Sequence, residues 1–271
     1  LDLLSSPGSA MIARLSGARF RVGMDTGRNN WCFNEVIPRK VTREGRTVVC
    51  YTADSNLETA RLLGVPLPDP VMHREASVRE QSYRTGFPAA DRERAWADDY
   101  LKDLGEKRKG FAGIVPGAKY HSKAWPEENF MELARRLSDD LDLRPIVIWG
   151  PGEEDVADRL VEADKRIIKP PPTGIARLGA LIGRLEVLVG IDSGPKHLAV
   201  IQGVPTVTVF GPTDPRVWDP MTPRHRAIFR NVDCRPCRDR DCGDRRCMDS
   251  IGAGEVAEAV AGVLSARDSD T

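Results

Sequence analysis

One segment in the second half of the chain limits the possible folds more than any other. Residues 187–215 read VLVGIDSGPKHLAVIQGVPTVTVFGPTDP. The apolar run at 186–191 is too short for a helix and is typical of a parallel strand buried on both faces. After the turn DSG, a proline opens a short helix that continues through 196–202, and 205–210 is a second buried strand. The segment therefore predicts a strand, a helix and a strand of a parallel α/β sheet.

The start of that helix is a predicted anion site. A helix that begins at the carboxyl end of a parallel strand presents unpaired backbone N–H groups and the positive end of its dipole, which suits a phosphate. Ligands of open α/β sheets bind at this edge. Ser193 is typical of a helix N-cap, a role compatible with phosphate binding. His197, one turn further along, fits a packed histidine and a ligand contact equally well.

The chain around this segment alternates in the same way. Strands are predicted at 111–115, 145–149 and 166–169, with helices at 127–137, 153–163 and 175–182. This order indicates a doubly wound parallel sheet. Before it, the pattern predicts helices at 9–15, 56–63 and 95–104, a strand at 19–22 and a further element at 47–49. We therefore expect two domains, 1–105 and 106–271.

Several loops of the second domain are expected to meet at the carboxyl edge of its sheet. Gly117 and then Lys119 and Lys123 follow one predicted strand, and GPGE at 150–153 follows the next. Glycine lets a backbone approach a ligand closely, and lysine supplies a point charge for phosphate. Glu153 suits the hydroxyls of a ribose. Each loop alone reads as ordinary surface, but together they favour a nucleotide diphosphate.

Composition excludes some functions. The 271 residues hold 40 basic and 40 acidic side chains, so no overall field favours nucleic acid or anionic lipid. No apolar run is long enough to cross a bilayer, and the first residues do not resemble a signal peptide. A cytoplasmic protein is the expectation.

A cysteine cluster is the second local signal. Cys234, Cys237, Cys242 and Cys247 have the spacing of a zinc knuckle with cysteine in place of histidine. That pattern raises a nucleic-acid-binding module as an alternative function. The segment 234–247 has no aromatic residue to stack on a base, and its arginines alternate with aspartates. It is therefore interpreted as a structural staple, with or without zinc.

The motifs PGA, K-x-WP, WGPGEE, DSGPKHLA and PTVTVFGPTDP resemble, in order, those of glycosyltransferase family 9. Residues 10–25 are similar to the N-terminal domain of that family. These are the heptosyltransferases that build the lipopolysaccharide inner core from ADP-heptose. The resemblance implies a GT-B architecture of two Rossmann-like doubly wound domains. The acceptor-side domain would be 1–105, and the nucleotide-sugar domain 106–271 with its cysteine-rich loop at 234–247.

The resemblance also implies a donor site made of Lys123, Glu153, Asp192, Ser193, Gly194 and His197. Lys123 would contact the donor phosphates, and Ser193, Gly194 and His197 the diphosphate at the helix start. Asp192 would lie near the transferring sugar or brace its loop. Glu153 would bind the ribose, with Glu154 as the alternative. Lys196 departs from the family, in which many relatives carry an apolar residue there.

The family's catalytic base is an aspartate in a glycine-rich loop after the first strand. No such segment precedes Leu1, so the N-terminal domain is expected to be incomplete and the catalytic residues stay unidentified. The implied reaction is one inverting displacement that needs no metal, with a glycan acceptor such as lipid A or the lipopolysaccharide core. The protein would act in the cytoplasm, either free or peripheral at the inner membrane, without nucleic acid.

Three alternatives stay open and one is disfavoured. The chain could use another nucleotide sugar, bind a nucleotide without catalysis, or act as the zinc-knuckle module. Asp192, Ser193 and His197 supply the residue types of a hydrolase triad. Hydrolysis is disfavoured, because the turn lacks the G-x-S-x-G pattern of a nucleophile elbow.

Overall fold

The computed structural model describes residues 1–43, 46–66, 83–105, 108–237 and 239–268. They form two compact units. One lies within Leu1–Glu75 together with Arg216–Trp218, and the other within Ala76–Pro215 together with Asp219–Thr271.

The second unit is built on a five-stranded sheet. The strands are β5 (Gly110–Val115), β6 (Leu143–Val147), β7 (Val187–Ile191), β8 (Thr206–Phe210) and β9 (His225–Phe229). They lie side by side in the order β6-β5-β7-β8-β9. All neighbouring strands are parallel, which confirms the predicted α/β fold class. β9 escaped the sequence analysis because HRAIF opens with two basic residues. In the structure His225 pairs with Thr206 of β8 and is buried there.

Helices cover both faces of this sheet, as the apolar strands require. Alternate residues of β5 point to opposite faces: Ala112 and Ile114 belong to one apolar cluster, and Phe111 and Val115 to the other. The helices of the unit are α3 (Asp91–Asp103), α4 (Glu127–Asp139), α5 (Glu154–Ala163), α6 (Ile175–Ile182), α7 (Gly194–Ile201), α9 (Arg246–Asp249) and α10 (Ala253–Asp268). A short helix, α8 (Pro215–Trp218), follows β8. α4, α5 and α10 pack on the first face, and α3, α6 and α7 on the second.

Helix α3 lies in the second unit, although the sequence analysis placed it in the first region. Its Trp96 ring stacks on Tyr100 at 5.5 Å, and the Arg177 guanidinium of α6 lies 5.2 Å from the Trp96 ring centre. Arg177 also donates to Glu93 of α3 over 2.9 Å. An aromatic face and a salt link therefore bind α3 to α6.

The strand predicted at 166–169 is reduced to a single bridge between Ile168 and Ile146 of β6. Three prolines at 170–172 follow it. Proline has no N–H to donate to a ladder, so the pairing with β6 stops there.

The first unit holds α1 (Pro7–Leu15), β1 (Val22–Met24), β2 (Glu35–Ile37), β3 (Lys40–Arg43), β4 (Arg46–Val49) and α2 (Thr52–Leu62). β1 and β2 pair in parallel, and β3 and β4 form an antiparallel pair. Ser6 and Ser9 close a capping box at the start of α1. The predicted strand at 19–22 begins only at Val22. The Arg21 N–H donates to Asn34 Oδ1 instead of to a neighbouring strand, and Arg21 Nε donates to the Cys32 carbonyl.

In the part of the chain that the structure describes, no helix combines the length and the apolar character needed to cross a membrane.

Candidate functional site

The candidate site lies where the strand order of the second unit reverses. β5 is the first strand of the sheet, β6 pairs with one of its edges, and β7 returns to pair with the other. The loops after β5 and β7 therefore leave the sheet in different directions. This topological switch point is where open α/β sheets bind ligands.

An ion pair joins the two loops. Lys123 ends the 3-10 turn His121–Lys123 after β5, and Asp192 follows β7. Lys123 Nζ lies 3.0 Å from Asp192 Oδ2 and 3.5 Å from the Asp192 carbonyl oxygen. Thr213, in the loop after β8, donates from Oγ1 to the same carboxylate oxygen over 3.0 Å. One carboxylate thus connects loops from three neighbouring strands.

Trp125 fixes the loop that carries Lys123. Its ring is 2% exposed and meets Phe130 of α4 edge to face, with the centroids 4.8 Å apart. Its Nε1–H donates to the Ile251 carbonyl over 2.8 Å. The WP step after Lys123 is therefore a buried anchor two residues from the charged group.

The start of α7 is open toward this pair. Ser193 is the N-cap residue, with extended φ −150° and ψ 172°, but its side chain does not cap the helix. Its Oγ donates to the Ile191 carbonyl over 3.2 Å. A Cβ built on Gly194 would meet no atom within 4 Å. There is therefore room for a ligand at Gly194. The first turn of a helix has N–H groups without intrahelical acceptors, Pro195 excepted here because proline has none, and such a turn suits an anion.

His197 stands on the same helix as a neutral group. Burial, and after it the nearby Lys196 cation, lower the pKa of His197 to about 4. At neutral pH the imidazole therefore offers one N–H donor and one acceptor without a positive charge.

Glu153 holds two glycine loops together. Its Oε2 accepts a hydrogen bond from the Gly150 N–H over 2.9 Å. Its carboxylate also occupies the space where Gly117 would place a Cβ. Glu154 lies elsewhere, with Oε1 3.4 Å from Lys169 Nζ on the exposed side of α5. The structure brings Glu153, and not Glu154, to the loops after β5 and β6.

A second ion pair lies beneath the first. Lys196 is only 2% exposed, and its Nζ is 3.8 Å from Asp219 Oδ2 and 5.5 Å from the Phe210 ring centre. Burial lowers the pKa of Lys196, whereas the carboxylates of Asp219 and Asp192 act in the opposite direction. Burial raises the pKa of Asp219 to about 6. Sequence reasoning marked Lys196 only as a departure and missed Asp219.

Thr213 was missed as well, although it lies in the quoted GPTDP loop. The sequence signal for Thr213 was a hydroxyl side chain in the loop after β8, at the same edge of the sheet as Lys123 and Asp192. What could not be read from the sequence is that its Oγ1 shares one oxygen of Asp192 with Lys123.

The cysteine segment, residues 234–247, makes hydrogen bonds to two of these loops, the one that carries Lys123 and the one that carries Thr213. Arg245 donates to the Ala124 carbonyl over 2.7 Å, and the Arg240 carbonyl accepts from the Ser122 N–H over 3.2 Å. Arg235 donates to the Thr213 carbonyl over 2.8 Å. The segment therefore positions the loop of Lys123 and the loop of Thr213 together, which supports its interpretation as a staple.

All four cysteines of that segment are free thiols in the structure. Within the described ranges, which omit residue 238, no group of three or more His, Cys, Asp or Glu side chains is arranged to hold a metal ion. Cys247 is buried, which raises the pKa of its thiol. The structure thus does not assemble the proposed four-thiolate zinc site, and zinc stays a prediction for metal analysis.

Known proteins are similar to this chain in sequence and in fold. The family model of glycosyltransferase family 9 (heptosyltransferase) matches residues 1–247. Lipopolysaccharide heptosyltransferase 1 of Escherichia coli K12 is 30% identical over 129 residues, which cover 47% of this chain and 40% of that protein. Against that relative the chain thus spans less than half of its length. Lipopolysaccharide heptosyltransferase 3 of Escherichia coli is 27% identical over 271 residues, covering 97% of this chain and 74% of the relative.

Solved structures agree on the fold. The Escherichia coli ADP-heptose lipopolysaccharide heptosyltransferase II aligns with a TM-score of 0.67 and 18% identity, over 98% of this chain and 76% of that one. A family 9 glycosyltransferase of Veillonella parvula aligns with a TM-score of 0.65 and 18% identity, over 96% and 72%. The fold is therefore the expected GT-B type. Because the family model matches nearly the full chain, the protein belongs to glycosyltransferase family 9, the heptosyltransferase family.

Proposed function

We propose that the protein is a glycosyltransferase that moves a heptose from ADP-heptose to a lipopolysaccharide core acceptor with inversion at the anomeric carbon. The observation that carries this proposal is the Lys123–Asp192 pair, which spans the switch point beside the open start of α7. Relatives of the chain are lipopolysaccharide heptosyltransferases, and one structure similar in fold is an ADP-heptose enzyme.

The diphosphate of the donor would lie between Lys123 and the first turn of α7. Lys123 is three-quarters buried at its side chain but keeps a 24% exposed fraction, so its ammonium can reach a ligand. The N–H groups of the α7 start would donate to the phosphate that lies over Gly194. Binding of the donor thus requires Lys123 to give up part of its contact with Asp192.

These groups would act on the leaving group. A hydroxyl oxygen of the acceptor attacks the anomeric carbon of the heptose, and the bond from that carbon to the phosphate oxygen breaks. Nucleoside diphosphate leaves with the bonding electron pair. Lys123 and the α7 dipole stabilise the negative charge that develops on it, without a metal ion. We assign no described residue as the base that accepts the hydroxyl proton.

Two further residues would orient the donor. Glu153 would accept hydrogen bonds from the ribose hydroxyls with the carboxylate oxygen that Gly150 leaves available. His197 would donate to the diphosphate as a neutral imidazole, which its depressed pKa permits at all physiological pH values. Asp192 would return to the sugar or hold the loops once Lys123 has turned away.

The second unit would thus be the donor domain, and the first unit would belong to the acceptor side. A lipid A or core oligosaccharide acceptor is found at the cytoplasmic face of the inner membrane. The protein would therefore work in the cytoplasm and contact that face peripherally.

Calorimetric titration with ADP, UDP and GDP tests the donor site. We expect ADP to bind, and to raise the melting temperature increasingly with concentration, because a ligand stabilises the state that binds it. Lys123→Ala should weaken ADP binding, whereas Lys119→Ala, on the same loop, should not. The Lys119 ammonium lies over the Tyr120 ring and not at Asp192. The Lys119→Ala variant therefore reproduces the change in charge without removing the Lys123–Asp192 pair.

The outcomes separate the alternatives. Preference for UDP or GDP would identify another nucleotide sugar. Absence of binding by all three nucleotides would refute the donor site, and binding of oligonucleotides alone would favour the knuckle module. Release of ADP from ADP-heptose in the presence of heptose-free core acceptor then distinguishes a transferase from a protein that only binds.

A further inference from the structure

The buried pair beneath the site suggests a role that the proposed function does not include. We propose that Lys196 is a positioning cation of the donor site, which stays with Asp192 and Asp219 and so allows Lys123 to turn from Asp192 to the donor diphosphate. The inference rests on the proposed function and adds a residue to it.

Lys196 is placed to act through its charge and not by contact. It is the third residue of α7, 2% exposed, and packed over the Phe210 ring. Its counter-ion Asp219 is 1% exposed, and Asp219 Oδ1 accepts a hydrogen bond from the Met221 N–H over 2.8 Å. A ligand in the open space over Gly194 would therefore meet the field of Lys196 through one turn of helix.

Stability alone does not account for this pair. A cation in the first turn of a helix opposes the helix dipole. Two buried charges lose hydration that their attraction often fails to restore, and apolar replacements of such pairs are frequently as stable. The separation of 3.8 Å is long for an ion pair, and Asp219 Oδ2 has no hydrogen-bond partner. The arrangement is costly, so its effect on neighbouring charges is the better explanation.

The neighbouring charges are those of the candidate site. Lys196 interacts electrostatically with Asp219, Asp192 and Lys123. With all four ionised, two lysines balance two aspartates. When Lys123 turns to a phosphate, Asp192 loses that ammonium group and keeps the Thr213 hydroxyl as a donor. Without Lys196, the diphosphate would then lie near two carboxylates, Asp192 and Asp219, with no cation to balance them. With Lys196 present, these three side chains carry only one net negative charge.

The effect of Lys196 extends to His197. Its cation is the second cause, after burial, that depresses the pKa of that imidazole. The other charged groups that act on His197 are Asp192, which raises its pKa, and Lys123, which lowers it. His197 therefore reports the field of Lys196 at the site without any ligand present.

Replacing Lys196 alone would leave the buried Asp219 carboxylate without its counter-ion, so the test is made in variants that already carry Asp219→Asn. Asp219→Asn is compared with Asp219→Asn/Lys196→Met, and the probes are ADP and adenosine. If Lys196 serves Asp192, the double variant binds ADP about ten-fold more weakly than Asp219→Asn, as a charge lost near a phosphate implies. Adenosine, which has no phosphate, binds both alike. Lys102→Met, at an exposed residue of α3, controls for net charge and should match the wild type.

Proton NMR of the four histidines supplies the second readout. Replacement of Lys196 should raise the pKa of His197, whereas Lys102→Met should leave it unchanged. Equal ADP affinity of the two Asp219→Asn variants, with an unshifted His197, would show that Lys196 only neutralises Asp219 and would overturn the inference. Failure of the wild type to bind any nucleoside diphosphate would instead refute the proposed function, and this inference with it.

Discussion

Lys123 Nζ and Asp192 Oδ2 lie 3.0 Å apart although 69 residues separate them in the chain. They meet because β5 and β7 are neighbours in the sheet, and each residue follows one of these strands. The pair places a lysine and an acceptor for it at the position where an anionic ligand would bind. An anionic ligand bound there would compete with Asp192 for one ammonium group.

Asp192→Asn should remove the competition for Lys123 and leave the rest of the site in place. The amide still accepts from Thr213, but it no longer holds Lys123 by charge. We expect unfolding free energy to fall by about 1 kcal/mol and ADP affinity to rise several-fold, since the lost pair is worth about 1 kcal/mol. Urea unfolding and calorimetric titration measure the two effects. Weaker ADP binding by a folded variant would show that Asp192 aids the ligand directly.

Gly194→Leu should affect the ligand and spare the fold. Its Cβ would enter open space, and the backbone there is helical, so stability should change by less than about 0.5 kcal/mol. The side chain would, however, occupy the place expected for the phosphate, and ADP affinity should drop by more than ten-fold. A variant that binds ADP like the wild type would remove the α7 start from the site.

Gly117→Ala makes the opposite kind of change. A methyl group there meets the Glu153 carboxylate, which must move away from Gly150. Since that carboxylate is the end of a flexible side chain, the loss of stability should be small. Binding of ADP and of adenosine should weaken together if Glu153 holds the ribose. Unchanged adenosine binding would contradict that role.

Arg245→Ala tests whether the cysteine segment positions Lys123. Arg245 donates to the Ala124 carbonyl and lies 3.2 Å from the His121 ring, so its loss frees the loop between them. ADP affinity should fall a few-fold without contact between Arg245 and the ligand. Arg246→Ala is the matched control, because the Arg246 side chain pairs with Asp244 on the surface. Equal affinities in the two variants would count against the positioning role.

His225 predicts how stability depends on pH. Burial lowers its pKa to about 3, whereas an unfolded histidine titrates near 6.5. As the pH falls below 6.5, this histidine is protonated in the unfolded chain but stays neutral in the folded chain. The free energy of unfolding therefore decreases by about 1.4 kcal/mol per pH unit. His197 acts in the same direction down to about 4, and Asp219, with its pKa raised to about 6, acts in the opposite one. Urea unfolding from pH 7 to 5 should show a shallower slope for His225→Gln than for the wild type.

Reaction with a thiol reagent tests the state of the cysteines. Cys234 is exposed and should react first, while Cys32, Cys50 and Cys247 are buried and should react only on unfolding. Bound zinc would instead protect all four cysteines of the segment until a chelator is added. Stoichiometric zinc in purified protein, together with that protection, would establish the metal site that the free thiols of the structure do not form.

The sheet edge was predictable because its parts have local signals. Short apolar runs mark β5, β7 and β8, and the turn DSGP marks the start of α7 within two residues. Helix 175–182 was predicted to the residue, since its apolar face and flanking glycines are clear in sequence. Lys123 and Asp192 could each be proposed from their place after a strand.

The pairings across the sheet were not predictable in the same way. Hydrophobic periodicity does not show that Thr213 and Lys123 contact the same oxygen of Asp192, or that Asp219 pairs with Lys196 of α7. These contacts join segments that are distant in the chain. β9 was missed because it begins with a polar residue that is nevertheless buried: His225 Nδ1 lies 3.0 Å from Thr206 Oγ1 of β8. The helix at 95–104 was predicted within the first region, whereas in the structure α3 lies in the second unit beside α6. An amphipathic face does not say which helix it will meet.

The contacts of the cysteine segment also determine when the site can form. The loops of Lys123 and Thr213 are held by Arg235, Arg240 and Arg245, which follow β9. Trp125, which anchors the same loop, donates to Ile251, later still in the chain. During synthesis the strands of the sheet therefore emerge before the residues that fix its ligand edge. A ribosome-bound chain that ends before residue 234 lacks all of these contacts and should therefore be unable to hold a nucleotide.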